Sequence, residues 1–457
     1  MTGSVRKVGE NLRITVQLID IKSSNCLWSQ PYDGKYTSEV FDFQNTIAKK
    51  VAESLDVILS QKDRETINAK PTKNMLAHDL CLKGSDVFWG KWWGSRDSQY
   101  LKIAANCFNE ALRIDPDYVD AKAGKGFIYT QAGKYDSARV YFDEILKIDR
   151  ENNGALIGLA YIFLDNNKPD SAIKIYRKIL DISPNLFDAN YELGQCLLFY
   201  QNNVIEGLPF YQKAYDLGGS SQASVLLNIG LACFYLGEYP KALKYIKKTL
   251  SMESSWCWMV RNSYNILYIQ GNYNEALNFL DSIQNFTTCG NVCDLMRFYY
   301  YTSKRDFKKA EIYLDKAKAF DDSYWKRELE NDVYVNYLLK ETGRENEALK
   351  GLKNSIKYYE ADMLKKGSLS MPIIRAIDRL KLAASYAMLG ENKKALKYLS
   401  LLEKFGLFEY PITLSFPGFD NLRSDPEFKA IVKRIEDQRA ATRAKVREME
   451  QNGELHL

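Results

Sequence analysis

The chain has 457 residues, with 63 Lys and Arg against 58 Asp and Glu and a formal net charge of +5. Because the basic residues alternate with acidic ones along the sequence, the charge does not indicate direct nucleic-acid binding by this fragment. Only two histidines are present, His78 and His456, so the commonest general base and metal ligand is missing from almost all of the chain.

The first 70 residues predict a small α/β unit. Leu12, Ile14, Val16 and Leu18 alternate with polar residues at the period of a β-strand, after a Gly-Glu-Asn turn, and they predict a hairpin. The segment CLWSQPYDGKY predicts a third short strand, and the apolar positions between 40 and 58 predict a helix.

These residues, GSVRKVGENLRITVQLIDIKSSNCLWSQPYDGKY followed by FDFQNTIAKKVAESL, resemble the latter half of the TolB-amino-terminal or FlgO-like domain. Since only the latter half matches, we expect the domain to be partial. In bacterial signalling proteins such a domain precedes helical repeats, downstream of a DNA-binding or cyclase output domain. The resemblance therefore implies a place in a bacterial regulatory protein.

After residue 75, small and aromatic residues recur with a period near 34. The clearest copy consists of Gly126, Tyr129, Gly133, Tyr135, Ala138 and Phe142. The copy around Gly194 and Gly207 carries one inserted residue. Two antiparallel helices approach closely only where small residues face each other, so the pattern predicts helix pairs with aromatic side chains between them. A glycine between the two helices of a pair is expected at positive φ, at 133, 237, 271, 343 and 390.

This pattern resembles the tetratricopeptide repeat family over about residues 77 to 402. The resemblance implies a mainly α fold, a TPR-like right-handed helical solenoid of about nine helix pairs over residues 75–405. The partial α/β unit at residues 1–70 precedes it. It also implies a concave groove lined by the first helix of each pair. Residues 291–318 lack the first-helix glycine, and residues 356–372 predict a linker-like insertion.

Residues 406–457 predict a cap and a polar tail helix. The segment FPGFDNLRSDPEFKAIVKRIED resembles the cap that closes such arrays in bacterial signalling proteins, and an open-ended solenoid needs a polar cap for solubility. The following QRAATRAKVREME is polar nearly all round. It predicts a frayed, solvated tail, with a coiled-coil arm as the alternative.

The first-helix positions of the repeat predict a partner-binding groove. Its candidate residues are Phe127, Tyr161, Tyr191, Phe199, Tyr235, Trp258, Arg261 and Tyr268. Tyr and Trp are favoured anchors for an extended or helical segment of a protein or peptide partner. Alternatively, half of these side chains serve only the packing between repeats.

Two further groups of residues have alternative interpretations. Trp89, Trp92 and Trp93 lie in an insertion at residues 87–100 and predict packing of the α/β unit against the repeats, with a binding or membrane-contact patch as the alternative. The four lysines between 241 and 248 predict a solvated outer helix face, with an acidic partner as the alternative.

The sequence offers no catalytic constellation. It contains no GxxxxGK[ST], GxGxxG after a strand, HExxH or GxSxG motif. The eight cysteines are scattered and predict reduced core thiols, and the pair Cys289 and Cys293 lacks the spacing of a redox or zinc motif. We therefore expect no catalytic residue, no cofactor and no metal. A glycan-processing enzyme that uses only carboxylates is the remaining enzymatic alternative.

Together these patterns predict a non-enzymatic scaffold that binds a protein or peptide. The resemblances imply that it is the sensor and interaction region of a bacterial regulatory protein. A structural adaptor in envelope or complex assembly is the alternative. No apolar run is long enough to span a membrane, so the fragment is expected to be soluble. The expected location is cytoplasmic. A membrane-anchored parent protein with periplasmic repeats is the alternative location.

Overall fold

The computed structural model describes residues 2–19, 25–37, 39–54, 64, 67–68, 70–92, 98–218, 222–252, 257–284, 290–319, 329–365, 372–404 and 416–457. The side chains of 257–259, 362–365, 372–375 and 404 lie outside this description. The chain is mainly helical, with a small antiparallel sheet at its start. It divides into two compact units, unit 1 at Met1–Ile162 and unit 2 at Phe163–Leu457.

The N-terminal sheet has three antiparallel strands in the order β1-β2-β3. These strands are β1 (Thr2–Val8), β2 (Asn11–Ile19) and β3 (Cys26–Lys35), and helix α1 (Glu39–Ser54) follows them. Gly9 lies at a φ of 60°, which allows the tight turn between β1 and β2. The alternating residues Leu12, Val16 and Leu18 are buried, as is Phe41 of α1. The predicted hairpin, third strand and helix are therefore confirmed.

Unit 1 continues with paired helices. They are α2 (Met75–Ser85), α3 (Ser98–Ile114), α4 (Val119–Gln131), α5 (Tyr135–Ile148) and the start of α6 (Asn153–Asp165). A π-helical segment, Asp86–Trp92, extends α2.

Contacts within unit 1 join the α/β part to the first helices of the repeats. The Tyr36 hydroxyl donates to Asp79 Oδ1 at 2.5 Å. The Phe41 ring meets the His78 ring edge to face at 4.9 Å, and His78 Nδ1 lies 3.1 Å from the Tyr118 hydroxyl oxygen. The sheet and α1 are therefore held against α2 by specific polar and aromatic contacts.

Unit 2 consists of helices throughout its described residues. They are α7 (Pro169–Ile182), α8 (Phe187–Gln195), α9 (Val204–Leu217), α10 (Gln222–Leu236), α11 (Tyr239–Met252), α12 (Cys257–Ile269), α13 (Tyr273–Gln284), α14 (Gly290–Ser303), α15 (Phe307–Lys318), α16 (Val333–Glu341), α17 (Glu345–Lys365), α18 (Pro372–Met388), α19 (Asn392–Ser400) and α20 (Pro426–Gln451). One hydrophobic core joins residues of α9–α11 to residues of α16–α20, and a second lies within α12–α16.

The turn between the two helices of a pair contains a residue in the left-handed region. The predicted glycines, Gly133, Gly237, Gly271, Gly343 and Gly390, have φ between 70° and 79°. In three further turns Asn167, Asn202 and Arg305 take this conformation, with φ of 53°, 54° and 58°. These turns therefore have the same backbone conformation where another residue stands in place of glycine, because the first helix ends at a residue in the left-handed φ region.

The inserted residue near Gly194 is accommodated inside a helix. The segment Cys196–Tyr200 forms a π-helical turn, in which the N–H of Gln201 donates to the carbonyl oxygen of Cys196 at 3.2 Å. A π-turn holds one more residue than an α-turn, so the helix pair keeps its close packing. A Cβ on Gly194 would lie 3.2 Å from the carbonyl oxygen of Gly207, which shows how near the two helices approach.

The structure contradicts one prediction from the sequence and leaves others untested. The predicted linker-like insertion at 356–372 is wrong in its first part, because α17 continues to Lys365. Its buried residues Leu352 and Tyr359 maintain the helical period through that region. Residues 366–371 lie outside the described residues. The predicted domain boundaries near residues 70–75 and 405 stay predictions.

Candidate functional site

In unit 1 three aromatic side chains follow one another on the first helices of the repeats. Trp89 belongs to the π-helical extension of α2, Phe127 to α4 and Tyr161 to α6. The rings of Trp89 and Phe127 lie 5.3 Å apart and those of Phe127 and Tyr161 lie 6.1 Å apart, both edge to face. We call these three residues the aromatic ladder.

The aromatic ladder combines exposed and buried side chains. Trp89 is 44% exposed, Tyr161 is half-buried, and Phe127 is 9% exposed. Phe127 also packs edge to face on Phe142 of α5 at 5.4 Å, so it ties the ladder to the repeat core. Because edge-to-face contacts restrict the ring orientations, the aromatic ladder holds Trp89 and Tyr161 in defined positions.

The described ring contacts of the tryptophan segment lie within the segment and with Phe127 of α4. Phe88 stacks on Trp92 at 5.1 Å and Trp89 meets Phe127, while Tyr36 and Phe41 make the contacts between the α/β part and α2 described above. The predicted packing of these tryptophans against the α/β unit stays a prediction. Trp93 lies outside the described residues. The insertion at 87–100 is the sequence signal that points to Trp89, because it departs from the 34-residue period.

In unit 2 the predicted groove residues lie in different surroundings. Phe199 and Tyr235 are buried, at 6% and 2% exposure, and pack in the core of unit 2. Tyr191 is half-buried: its ring stacks on Phe187 at 6.1 Å, and its hydroxyl accepts a hydrogen bond from Asn228 Nδ2 at 3.2 Å. Burial raises the pKa of Tyr191. These side chains stabilise the repeats, and their role in partner binding stays a prediction.

The C-terminal helix packs against the end of α10 that carries Tyr235. In α20, Arg439 donates from Nε to the carbonyl oxygen of Tyr235 at 2.8 Å and from Nη2 to that of Phe234 at 3.1 Å. Arg443 donates from Nη1 to the carbonyl oxygen of Leu236 at 3.0 Å. The C-terminal end of α10 is therefore capped by side chains from the other end of unit 2. The predicted frayed, solvated tail is wrong, because this part of α20 packs against α10.

The sequence carried a signal for this arrangement. All residues of α10 from Val225 to Leu236 are buried, and the segment VLLNIGLACFYL is apolar on nearly every side, with Asn228 as its one amide side chain. A helix of that kind is covered on every side and does not line an open groove. The buried positions Phe428, Ile431 and Ile435 of α20 likewise follow the spacing of an amphipathic helix.

The cap segment before α20 covers a neighbouring first helix. The ring of Phe416, 1% exposed, lies 4.2 Å from that of Tyr334 and 5.6 Å from that of Tyr337 in α16. Arg305, the residue at positive φ, pairs with Asp420 at 2.8 Å. The cap therefore contacts both the first-helix face and a turn between helices.

The remaining predicted groove residues lie on α12. Tyr268 is half-buried among Tyr264, Tyr273 and Tyr300, with ring centroids 5.2 to 6.3 Å apart. Arg261 is half-buried. Burial raises the pKa of Tyr299 well above its ordinary value, and the charge of Arg261 opposes that rise. The side chain of Trp258 lies outside the described residues. This part of the predicted groove stays a prediction.

Among the described residues no three His, Cys, Asp or Glu side chains are placed to hold a metal ion. Burial raises the pKa of the Cys293 thiol to about 11, as expected for a core thiol, and Cys81, Cys107, Cys196 and Cys233 are also buried. Cys26 is exposed, unlike the predicted core thiols, and Cys289 lies outside the description. No helix within the described segments is both long and apolar enough to cross a membrane.

Paired helices, small residues at their crossings and left-handed turns define a helical repeat protein. Residues 102–160 and 129–192 match the model of the tetratricopeptide repeat. The chain therefore contains tetratricopeptide repeats, and proteins built from such repeats serve as scaffolds for protein–protein interaction. No curated protein matches the chain in a sequence comparison.

Solved structures of other repeat proteins are similar in fold. The Pseudomonas aeruginosa pilF protein is 22% identical, with a TM-score of 0.39 over 46% of this chain and 96% of its own. PilW, described as a widely conserved type IV pilus biogenesis factor, is 19% identical, with a TM-score of 0.41 over 47% and 99%. A monomeric IFIT1 mutant with m7Gppp-AAAA is 15% identical, with a TM-score of 0.44 over 88% of each chain. These likenesses concern the fold alone.

Proposed function

We propose that this chain is a non-enzymatic scaffold that binds a protein or peptide partner through the aromatic ladder of unit 1. The observation that carries the proposal is the contact of Trp89, Phe127 and Tyr161 on successive first helices, with Trp89 44% exposed. Trp and Tyr are enriched among the residues that act as binding hot spots.

The surroundings of the ladder favour an apolar ligand surface. Phe127 anchors the ladder to the core, so Trp89 and Tyr161 lose little conformational entropy when a partner binds. A proline, leucine or aromatic side chain of an extended or helical peptide can pack against the accessible parts of the Trp89 and Tyr161 rings. We expect such a side chain to be the partner's anchor.

The regulatory setting is a further part of the proposal. The resemblance of the α/β part to the TolB-amino-terminal or FlgO-like domain, and of the cap to those of bacterial signalling proteins, supports a sensor and interaction region in such a protein. The five buried thiols among the described cysteines are unpaired, which suits a reducing compartment and supports a cytoplasmic location.

Selection of a random peptide library on the immobilised chain tests the ladder. We expect enriched peptides to share an apolar anchor and to lose about tenfold or more in affinity to the Trp89→Ala and Tyr161→Ala chains, as hot-spot residues do. Tyr141→Ala is the matched control, because this half-buried tyrosine of α5 stacks on Tyr129 and is not part of the ladder.

Two outcomes would contradict the proposal. Peptides that bind all three variants as well as the original chain would place binding elsewhere. The alternative is a structural adaptor whose repeats only separate other domains. It would be favoured if both ladder changes were tolerated and mutation of the two end surfaces abolished assembly.

A further inference from the structure

Strand β1 (Thr2–Val8) forms an open edge of the N-terminal sheet. Among the described residues it pairs with β2 alone, and all seven of its residues are exposed. The opposite edge strand, β3, contains Pro31, which lacks a backbone N–H and interrupts the row of donors along its edge. Because β1 contains no proline, its outward N–H and C=O groups can all pair with another strand.

The face of the sheet that packs on α1 is left uncovered at β1. Val5 lies opposite Ile14 of β2, and Ile14 lies opposite Tyr32 of β3, so these three side chains are on the same face. Tyr32 is buried and its ring lies 6.3 Å from that of Phe43 in α1, whereas Val5 is 70% exposed. Helix α1 therefore covers this face near β3 and leaves an apolar, β-branched side chain of β1 in solvent.

The sequence of β1, TGSVRKV, is complementary to itself in one antiparallel register. When Val5 faces Val5 of a second copy, all seven residues are paired, with Arg6 opposite Ser4 and Lys7 opposite Gly3. Like charges directly opposite each other destabilise a strand pair. This register avoids them, whereas a shift of two positions towards the turn would place Arg6 opposite Arg6, and the opposite shift would leave part of the strand unpaired. A shift of one position would misalign the outward backbone groups.

We propose that β1 is the docking surface for a second copy of this chain. The two β1 strands pair antiparallel about a two-fold axis at Val5, and the two three-stranded sheets become one sheet of six strands. Because opposite residues point to the same face, α1 of both copies lies on one face of the joined sheet, with the two Val5 side chains in contact. The dimer does not use Trp89 or Tyr161, so it is independent of the aromatic ladder.

Analytical ultracentrifugation of the full chain tests the dimer. Between about 1 and 200 µM we expect the average mass to rise from that of one copy towards that of two. Val5→Lys places two ammonium groups opposite each other at the axis and should weaken association by about tenfold or more. Val8→Lys is the matched control, because Val8 is also exposed on β1 but faces Thr2 of the second copy. It should change the association by less than about twofold.

Two opposite changes at Ser4 test the register. Since Ser4 faces Arg6 of the second copy, Ser4→Glu adds an opposite-charge pair twice in the symmetric dimer and should tighten association by about threefold or more. Ser4→Arg adds a like-charge pair at the same place and should weaken association by a similar factor. Both changes replace an exposed side chain, so circular dichroism should show a folded chain in each case.

Cysteine cross-linking locates the axis. The background is Cys26→Ser, which removes the exposed thiol among the described cysteines. Val5→Cys should then form a disulfide between two copies on air oxidation, because directly opposite residues have Cβ atoms about 4.5 to 5.5 Å apart. Val8→Cys should not, because Val8 faces Thr2 of the second copy and its own counterpart lies roughly 20 Å away.

Three results would overturn the proposal. The first is a chain that remains a single copy up to about 200 µM. The second is a dimer that persists in Val5→Lys and is unchanged by both substitutions at Ser4. The third is equal cross-linking of Val5→Cys and Val8→Cys, because the axis would then not lie at Val5. Should circular dichroism show that Val5→Lys is unfolded, the opposite effects of Ser4→Glu and Ser4→Arg decide between support and rejection.

Discussion

Arg439 donates a hydrogen bond to the backbone carbonyl oxygen of Tyr235, a residue 204 positions earlier in the chain. Its guanidinium also reaches the carbonyl oxygen of Phe234 and the hydroxyl of Tyr239. With 4% of its surface exposed, Arg439 is a buried charge whose partners are mainly the end of one helix. Such a charge is tolerated because its donors are satisfied and the helix dipole favours a cation at this position.

We expect Arg439→Ala to lower the free energy of unfolding by about 2 to 4 kcal/mol, because it removes a buried side chain that donates to the carbonyl oxygens of Tyr235 and Phe234 and leaves that of Tyr235 without this donor. Urea denaturation followed by circular dichroism measures the loss. Lys445→Ala, exposed on the same helix, should change the value by less than about 0.5 kcal/mol. Equal effects of the two changes would contradict the packing of α20 on α10.

Gly158 and Gly154 in α6 give a matched pair for the close approach of helices. A Cβ on Gly158 would lie 2.2 Å from the Phe142 ring, whereas one on Gly154 would meet its nearest atom, Asn152 Oδ1, at 3.4 Å. Gly158→Ala should destabilise the chain by about 1 to 3 kcal/mol through overpacking. Gly154→Ala should be neutral or stabilise by up to about 1 kcal/mol, because alanine favours a helix. Thermal or urea unfolding measures the stability of both variants. If Gly154→Ala destabilised the chain more than Gly158→Ala, the predicted crowding at Phe142 would be wrong.

Phe416 tests the cap. Replacing it with alanine removes a ring that packs on Tyr334 and Tyr337, and we expect a loss of about 3 to 5 kcal/mol in the free energy of unfolding, typical of a buried phenylalanine. Ile312→Ala in α15 serves as the control, because that side chain is 54% exposed. A Phe416→Ala chain as stable as the control would show that the cap does not pack on α16.

Asp332 gives the chain a testable dependence on pH. Its carboxylate accepts hydrogen bonds from the N–H of Tyr334 at 2.8 Å and from the Tyr299 hydroxyl at 3.0 Å, but burial raises its pKa above the ordinary value of 3.8. The folded chain therefore binds this proton more tightly than the unfolded chain does. The contribution of Asp332 to stability is greatest below pH 3.8 and falls as pH rises through the folded pKa.

Asp332→Asn keeps a side chain that caps the start of α16 and removes the ionisation. We expect the stability of this variant relative to the original chain to be highest near neutral pH, and the difference to shrink as pH falls towards 4. Urea denaturation of both chains across this range measures it. A relative stability of the variant that increases on acidification would contradict the raised pKa.

Local rules account for the parts of the fold that the sequence predicted. The glycine positions of the turns were predictable because a helix that ends in a left-handed residue favours glycine at that position, as at Gly133 and Gly390. Asn167, Asn202 and Arg305 were not predicted there. Their conformation follows from the helices on either side, which fix the path of the chain whatever the residue.

The candidate sites were predicted less completely. The sequence selected Phe127 and Tyr161 and noted Trp89, but only their ring contacts join the three into one surface. The second half of α20 appeared solvated because its arginines are polar, and a polar helix face can be satisfied by water or by the carbonyl end of another helix. Periodicity does not distinguish these two cases.

The sequence by itself therefore determined the helix pairs, their turns and the strands of the α/β part, because spacing and steric limits act between residues close along the chain. Tertiary structure decided which first-helix face is covered and which keeps an exposed tryptophan. The physical reason is that the main hydrogen-bond acceptors of Arg439 are backbone carbonyl oxygens. Every residue but proline offers the same backbone donor and acceptor, so no side-chain pattern marks this site 204 residues away.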